Sequence, residues 1–251
     1  LGYALVTLDW RAQGLSERPS WDNNLGYVET FQKYQLDLSA VLNERAVREL
    51  TGTRILVGHS TGACIGLRAV IENKFNIVGA IFLSPFWDWG TAFGKPAVRN
   101  FIAAIHKGFT AVGLGKLSSG PRKKKPYVST QTAKNNSLTS DHLQLERLKE
   151  IVAVDPRLSI GPPSLSWIAA ADNEMKSLRE ENSIPVPSLV LIGSKDTLVS
   201  KDAAKTQLIN SSNSSVKIFP NARHELLIER DFTVEAVWKD IKKFLTFVRK
   251  S

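Results

Sequence analysis

Gly58-His59-Ser60-Thr61-Gly62 has the spacing G-x-S-x-G. The branched apolar run "RILVG" precedes it and a run of small and apolar residues follows. A strand turning sharply into a helix would force Ser60 into a strained backbone conformation, and side chains at the glycine positions would collide. The turn would expose the serine hydroxyl at the carboxyl edge of a sheet. Amide hydrogens of the helix N-terminus would lie beneath it, facing a developing oxyanion. The other reading is a glycine-rich turn whose serine caps a helix.

A serine hydroxyl is a weak nucleophile until a base takes its proton. The histidines are His59, His106, His142 and His224. His59 lies inside the turn, and its side chain is expected to point away from Ser60. His106 and His142 fall in a region without strand pattern. His224, in "FPNARHELLIERD", follows the last apolar strand run and is the best candidate base. Its alternative is a surface histidine capping the helix that starts nearby. The imidazole in turn needs an acid to hold its tautomer and stabilise its charge. Asp196, in "LVLIGSKDTLVS", lies just beyond a strand run. Asp202, a helix-capping position, and Asp88 are its rivals. The chain order is then Ser60, Asp196, His224. No cluster of histidines and acids has metal-ligand spacing, so neither a metal nor an organic cofactor is expected.

The elements that must position these residues are legible as a rhythm. "YALVTL" (3–8), "RILVG", "NIVGAIFLS", a run within "SIPVPSLVLIG" and "SSVKIF" read as strands, the first as a buried parallel one. Phe31, Tyr34, Leu38, Val41 and Leu42 recur at three- and four-residue spacing, which predicts an amphipathic helix within 27–50. Further helices are expected at 61–73 and 231–248. Strand alternating with helix points to a parallel sheet covered on both faces. The rhythm breaks after Pro85, where tryptophans, turns and helical patches near 97–108 and 141–152 replace strand pattern. The expected organisation is a core of residues 1–85 and 183–251 with an inserted lid at 86–182.

The 251 residues suffice for one large domain or a domain with an insertion. No apolar stretch approaches the ~20 residues of a membrane-spanning helix. The single cysteine, Cys64, excludes an internal disulfide and reads as a small core residue. The net charge of +9 is densest at Arg122, Lys123, Lys124 and Lys125. That run is either a solvated loop or a foothold on anionic membrane lipid. It lacks the interleaved aromatics of a nucleic-acid module, and no nucleic-acid partner is expected. The expected location is cytoplasmic, peripheral to the inner membrane.

The segments "LDWRAQGLSERP", "GYVETFQKYQLDL", "VGHSTGA", "NSLTSD", "GPPSLSWIAAA" and "NARHELLIERD" together resemble the bacterial lysophospholipases and monoacylglycerol lipases of the α/β-hydrolase superfamily, over nearly the whole chain. The resemblance implies an α/β-hydrolase fold, a mostly parallel sheet with helices on both faces and an inserted lid. It implies hydrolysis of carboxylic esters of single-chain glycerolipids through an acyl-serine, with Ser60, Asp196 and His224 as the triad. Thr61 N–H would serve the oxyanion. Trp87, Trp89 and Trp167 would line an acyl groove or simply pack a core. The chain departs from the family at Ala12, where its loop usually has glycine, and at Thr61, where its elbow often has methionine. The resemblance also implies further strands before Leu1, one of them lying between the runs at 3–8 and 54–58, and a His-Gly motif supplying a second oxyanion amide. N-terminal strands are therefore expected to be missing. Two alternatives stay open: an esterase of small soluble esters, and a catalytically impaired binding module.

Overall fold

The computed structural model describes residues 2–19, 21–121, 126–181 and 183–250. The basic run at 122–125 lies outside the described residues. In chain order the elements are α1 (Gln32–Asn43), α2 (Arg45–Arg48), β1 (Arg54–His59), α3 (Thr61–Ile71), β2 (Ile77–Leu83), α4 (Pro96–Ala111), α5 (His142–Val154), α6 (Leu165–Glu180), β3 (Ser188–Gly193), α7 (Lys201–Gln207), β4 (Ser215–Phe219) and α8 (Asp231–Lys250). The chain divides into two compact units. One comprises Leu1–Gly52, Asn100–Thr130 and Lys149–Glu174; the other comprises Thr53–Arg99, Gln131–Leu148 and Met175–Ser251.

The second unit is built on a four-stranded sheet in the order β1-β2-β3-β4, with every neighbouring pair parallel. Alternation along the strands sends successive side chains to opposite faces. Gly79, Ile81 and Leu83 of β2, with Leu189 and Leu191 of β3, face α8, which presents Val237, Ile241, Phe244 and Val248. The opposite face receives α3, whose Gly66 leaves room for Leu56 of β1; a Cβ at Gly66 would lie 2.7 Å from a Leu56 methyl. Helices lie on both faces, and burial on both sides explains why the central strands β2 and β3 are near-continuous apolar runs, whereas β1 and β4 are half-buried or exposed along most of their length. This is the α/β-hydrolase architecture of parallel strands with crossover helices.

The first unit contains α1, most of α4 and much of α6. Trp167 Nε1 donates to the Tyr34 hydroxyl at 2.9 Å, and the Phe31 ring packs on both residues. Burial pushes the Tyr34 phenol up to about 12. Arg11 grips Asp37 through Nε at 2.9 Å, and that hydrogen bond raises the guanidinium pKa further. Ala12 has φ of 61°, in the left-handed region. The backbone conformation there explains a preference for glycine; alanine tolerates it at a cost.

Three expectations differ from the structure. Residues 3–8 form no strand, and Leu5 is 84% exposed. An apolar run becomes a strand only where a neighbour satisfies its N–H and C=O groups, and among the described residues none pairs with 3–8. The helix expected within 27–50 is broken at Glu44, whose ψ of 139° leaves the helical region. The sixteen-residue helix α6 was not expected at all.

Candidate active site

Ser60 sits where β1 becomes α3, with φ of 51° and ψ of −119°, the strained conformation the motif predicts. Gly58 is required by close approach of the helix. A Cβ there would lie 2.7 Å from Ala63 Cα and 2.9 Å from the Gly62 carbonyl oxygen. Ser60 N–H donates to Leu83 O at 3.0 Å, and Ser60 O accepts from Phe86 N–H at 3.1 Å. The elbow is therefore fixed to the end of the neighbouring strand β2. Thr61 is the first residue of α3, where a helix has no internal acceptor for its N–H, so this amide is available to an oxyanion.

His224 lies in the loop after β4, and Asp196 in the loop after β3. His224 Nδ1 and Asp196 Oδ2 are 2.8 Å apart, and both side chains are almost wholly buried. The second oxygen, Oδ1, accepts from Leu198 N–H at 2.8 Å and Val199 N–H at 3.3 Å. Those amides fix the carboxylate plane. Lys201 Nζ binds the carbonyls of Ser194 and Asp196 at 3.1 and 3.3 Å, bracing the same loop. With Nδ1–H given to Asp196, the imidazole lone pair is on Nε2, the atom a general base uses. The rivals are engaged elsewhere. Asp88 pairs with Arg179 at 3.1 Å and accepts from Trp89 N–H. Asp202 is exposed in the first turn of α7.

The His224 backbone is clamped from two sides. Its carbonyl accepts the Ser84 hydroxyl at 2.7 Å; Ser84 is fully buried at the end of β2 with φ of 42°. On the other side the segment 136–141 holds the loop. His224 N–H donates to Ser137 O at 3.3 Å and Glu225 N–H to Leu138 O at 2.8 Å. Buried Glu229 accepts from Ser140 N–H at 2.9 Å and Arg223 N–H at 2.7 Å. Ser84 and Ser137–Ser140 are positioning residues that sequence reasoning missed. Their signals were the family-like segment "NSLTSD" at 136–141, to which no role was attached, and Asn136, whose Oδ1 accepts from Leu138 and Thr139 N–H in an Asx turn.

Leu83–Phe86 thus hydrogen-bonds both the Ser60 backbone and the His224 carbonyl, which brings the elbow and the histidine loop together. No hydrogen bond joins the Ser60 hydroxyl to the imidazole in this structure. Such contacts tighten when substrate fills the site. His59 reaches the histidine loop. Its Nε2 is 3.4 Å from His224 O and 3.6 Å from Glu225 Oε2, and its ring lies 4.9 Å from the His224 ring. Burial lowers its pKa, against the pull of Glu225. The fold also brings together three side chains of ligand type that are dispersed in the sequence, His59, His224 and Glu225, with one nitrogen or oxygen of each within 4.8 Å of the other two.

The tryptophans are dispersed. Trp87 is buried beneath the elbow, its Nε1–H given to Ala63 O at 3.3 Å and its ring against Phe82. Trp89 is half-buried between Phe86 and Phe93. Trp167 belongs to the other compact unit, on Tyr34. Cys64 is a buried thiol on α3.

A serine on a strained strand-to-helix turn, with a buried His–Asp pair on the loops after two further parallel strands, defines an α/β-hydrolase. The chain belongs to the family described as serine aminopeptidase, S33, which matches residues 1–231. It is 25% identical over 247 residues to a probable lysophospholipase L2 of Haemophilus influenzae, covering 97% of this chain and 75% of that protein. It is also 25% identical over 235 residues to lysophospholipase L2 of Escherichia coli K12, covering 91% of this chain and 60% of that protein. Among solved structures it resembles the monoacylglycerol lipase of Paleococcus ferrophilus, with a TM-score of 0.70 at 19% identity, over 95% of this chain and 81% of that one. A soluble variant of the Saccharomyces cerevisiae monoglyceride lipase gives 0.68 at 19% identity, over 96% and 76%. These structural likenesses are of fold.

Proposed function

We propose that the protein is a carboxylic ester hydrolase acting on single-chain glycerolipids, lysophospholipid or monoacylglycerol, through an acyl-serine. The observation that carries this reading is the buried 2.8 Å contact between His224 Nδ1 and Asp196, on a loop tied to the same Leu83–Phe86 segment as the strained Ser60. His224 Nε2 takes the Ser60 proton as Oγ attacks the ester carbonyl carbon. The oxyanion is held by Thr61 N–H. The tetrahedral intermediate collapses, and the imidazolium gives its proton to the departing glycerol oxygen. His224 then draws a proton from water as its oxygen attacks the acyl carbon, and the imidazolium returns that proton to Ser60 Oγ as the second tetrahedral intermediate collapses to the fatty acid. Each step uses only side chains and amides named above. The names of the relatives, lysophospholipases and monoacylglycerol lipases, support the lipid ester as substrate class.

Residues 86–182 act as the lid in this reading, and an anionic membrane surface supplies the substrate. On α4, Val98, Ile102, Ile105 and Phe109 recur at four- and three-residue spacing, and each is 40–51% exposed. Lys95, Arg99 and Lys107 accompany this apolar stripe, and Arg122, Lys123, Lys124 and Lys125 follow in the sequence. Apolar side chains flanked by cations suit the headgroup boundary of an anionic bilayer. Among the described residues no helix is long and apolar enough to cross it.

The test compares turnover of monoacylglycerol, lysophospholipid and short-chain esters by the protein and by Ser60→Ala, with and without anionic vesicles. The expected result is faster turnover of the long-chain substrates, increased by vesicles and abolished in Ser60→Ala. Preference for short-chain esters would replace the lipid reading with that of a small-ester esterase. Full activity of Ser60→Ala would overturn the acyl-serine mechanism.

A further inference from the structure

The loops that hold His224 also bring together a set of metal-ligating side chains far apart in the sequence. One ligand atom from each of His59, His224 and Glu225 lies within 4.8 Å of the other two. His59 Nε2 and Glu225 Oε2 are already 3.6 Å apart. The His59 and Glu225 side chains are 35% and 32% exposed, whereas that of His224 is 5% exposed. The cluster is therefore reached from solvent on the His59–Glu225 side.

We propose that His59, His224 and Glu225 form a binding site for a divalent cation of borderline softness, such as Zn2+ or Co2+, and that the bound ion blocks the reaction by occupying the His224 imidazole. The binding claim stands on the cluster alone; the blocking claim rests on the proposed hydrolase reading.

Two imidazole nitrogens and one carboxylate oxygen are a donor set that suits zinc and cobalt, while magnesium prefers oxygen ligands alone. In a tetrahedral site with bonds of about 2.0–2.1 Å, ligand atoms lie about 3.3 Å apart. The His59–Glu225 separation is near that value. The remaining separations must close by at most about 1.5 Å, which rotation of two half-exposed side chains provides. A water completes the fourth position.

The surroundings favour this chemistry. Asp196 holds His224 Nδ1–H, which leaves Nε2 as the ring nitrogen whose lone pair an ion can take, the carboxylate–histidine arrangement found behind many metal ligands. The consequence for the reaction is direct. The Nε2 lone pair that accepts the Ser60 proton is the one an ion would take, so metal binding and proton transfer exclude each other.

The protein, freed of metal by chelator, is titrated with Zn2+ by calorimetry and with Co2+ by visible absorption, and hydrolysis of a p-nitrophenyl ester is followed in parallel. Controls are Mg2+ and His142→Gln. His142 and Glu146 make an exposed pair 3.6 Å apart on α5, the obvious competing surface site. The expected result is one Zn2+ per chain, tetrahedral Co2+ bands, no response to Mg2+ and hydrolysis that stops in step with occupancy and returns with chelator. His59→Gln and Glu225→Gln should each weaken binding at least about tenfold, as loss of a direct ligand must. His142→Gln should leave it unchanged. Absence of binding, or equal binding by His59→Gln and Glu225→Gln, overturns the site. Binding with undiminished hydrolysis overturns the blocking claim. Binding by a metal-free protein that cleaves no ester leaves the site standing and removes the hydrolase reading instead.

Discussion

Asp196→Asn isolates the work done by the His224–Asp196 contact. Asparagine has nearly the shape of aspartate, and the Leu198 and Val199 amides would keep its Oδ1 where the aspartate oxygen lies. The Nδ2 amide would then replace Oδ2 at 2.8 Å from His224 Nδ1. Two donors cannot face each other, so the imidazole must present a bare Nδ1 and carry its proton on Nε2. That is the wrong tautomer for taking a proton from Ser60. The expected loss in kcat is about 10⁴-fold, the size of effect a reversed histidine tautomer has in serine hydrolases, or about 5.4 kcal/mol of barrier. Asp196→Ala gives the comparison. It frees the imidazole to take either tautomer but leaves the Leu198 and Val199 N–H groups without their acceptor, at about 1–3 kcal/mol of stability. Asparagine should therefore be at least as damaging as alanine to kcat and less damaging to stability. The assay is steady-state hydrolysis of a p-nitrophenyl ester beside chemical denaturation of each variant. A folded Asp196→Asn protein within about tenfold of wild-type kcat would refute the tautomer argument.

Ser84→Ala removes the hydroxyl that holds the His224 carbonyl. Stability should fall by about 1 kcal/mol in denaturant titration, and kcat should fall with KM unchanged. The Tyr34 phenol ionises at about 12 in the folded chain against an ordinary value of 10. Its folded pKa is raised, so its stabilising effect is complete below pH 10 and is lost as pH rises towards 12. The difference is worth about 3 kcal/mol. Tyr34→Phe should lose that alkaline slope in unfolding measurements between pH 9 and 12; an identical slope would assign it to other groups.

The strand runs from 54 to 219 and the Ser60 elbow were legible because each is a local pattern. A parallel strand buried on both faces reads as an apolar run, and a strand-to-helix turn announces itself by its glycines. Placing Asp196 and His224 on loops after β3 and β4 needed only the order of the strands. Residues 3–8 misled because apolar content reports burial and cannot report a pairing partner. Helix α6 was obscured by Gly161-Pro162-Pro163 ahead of it and by Asp172 and Glu174, which are buried and so break its apolar periodicity. The clamp on His224 was hidden for another reason. Ser84 and Ser137 reach it across 140 and 87 positions (224 − 84 and 224 − 137), through hydrogen bonds that leave no spacing in the sequence. The approach of His59 to Glu225 is of the same kind.

The most direct measurement is intact-mass and peptide mapping of the protein after reaction with a fluorophosphonate. A single adduct on the peptide containing Ser60, formed rapidly by wild type, absent in Ser60→Ala and strongly slowed in His224→Ala, is the result expected of a serine activated by His224. A wild-type protein that stays unlabelled, or carries its adduct on another residue, would contradict it.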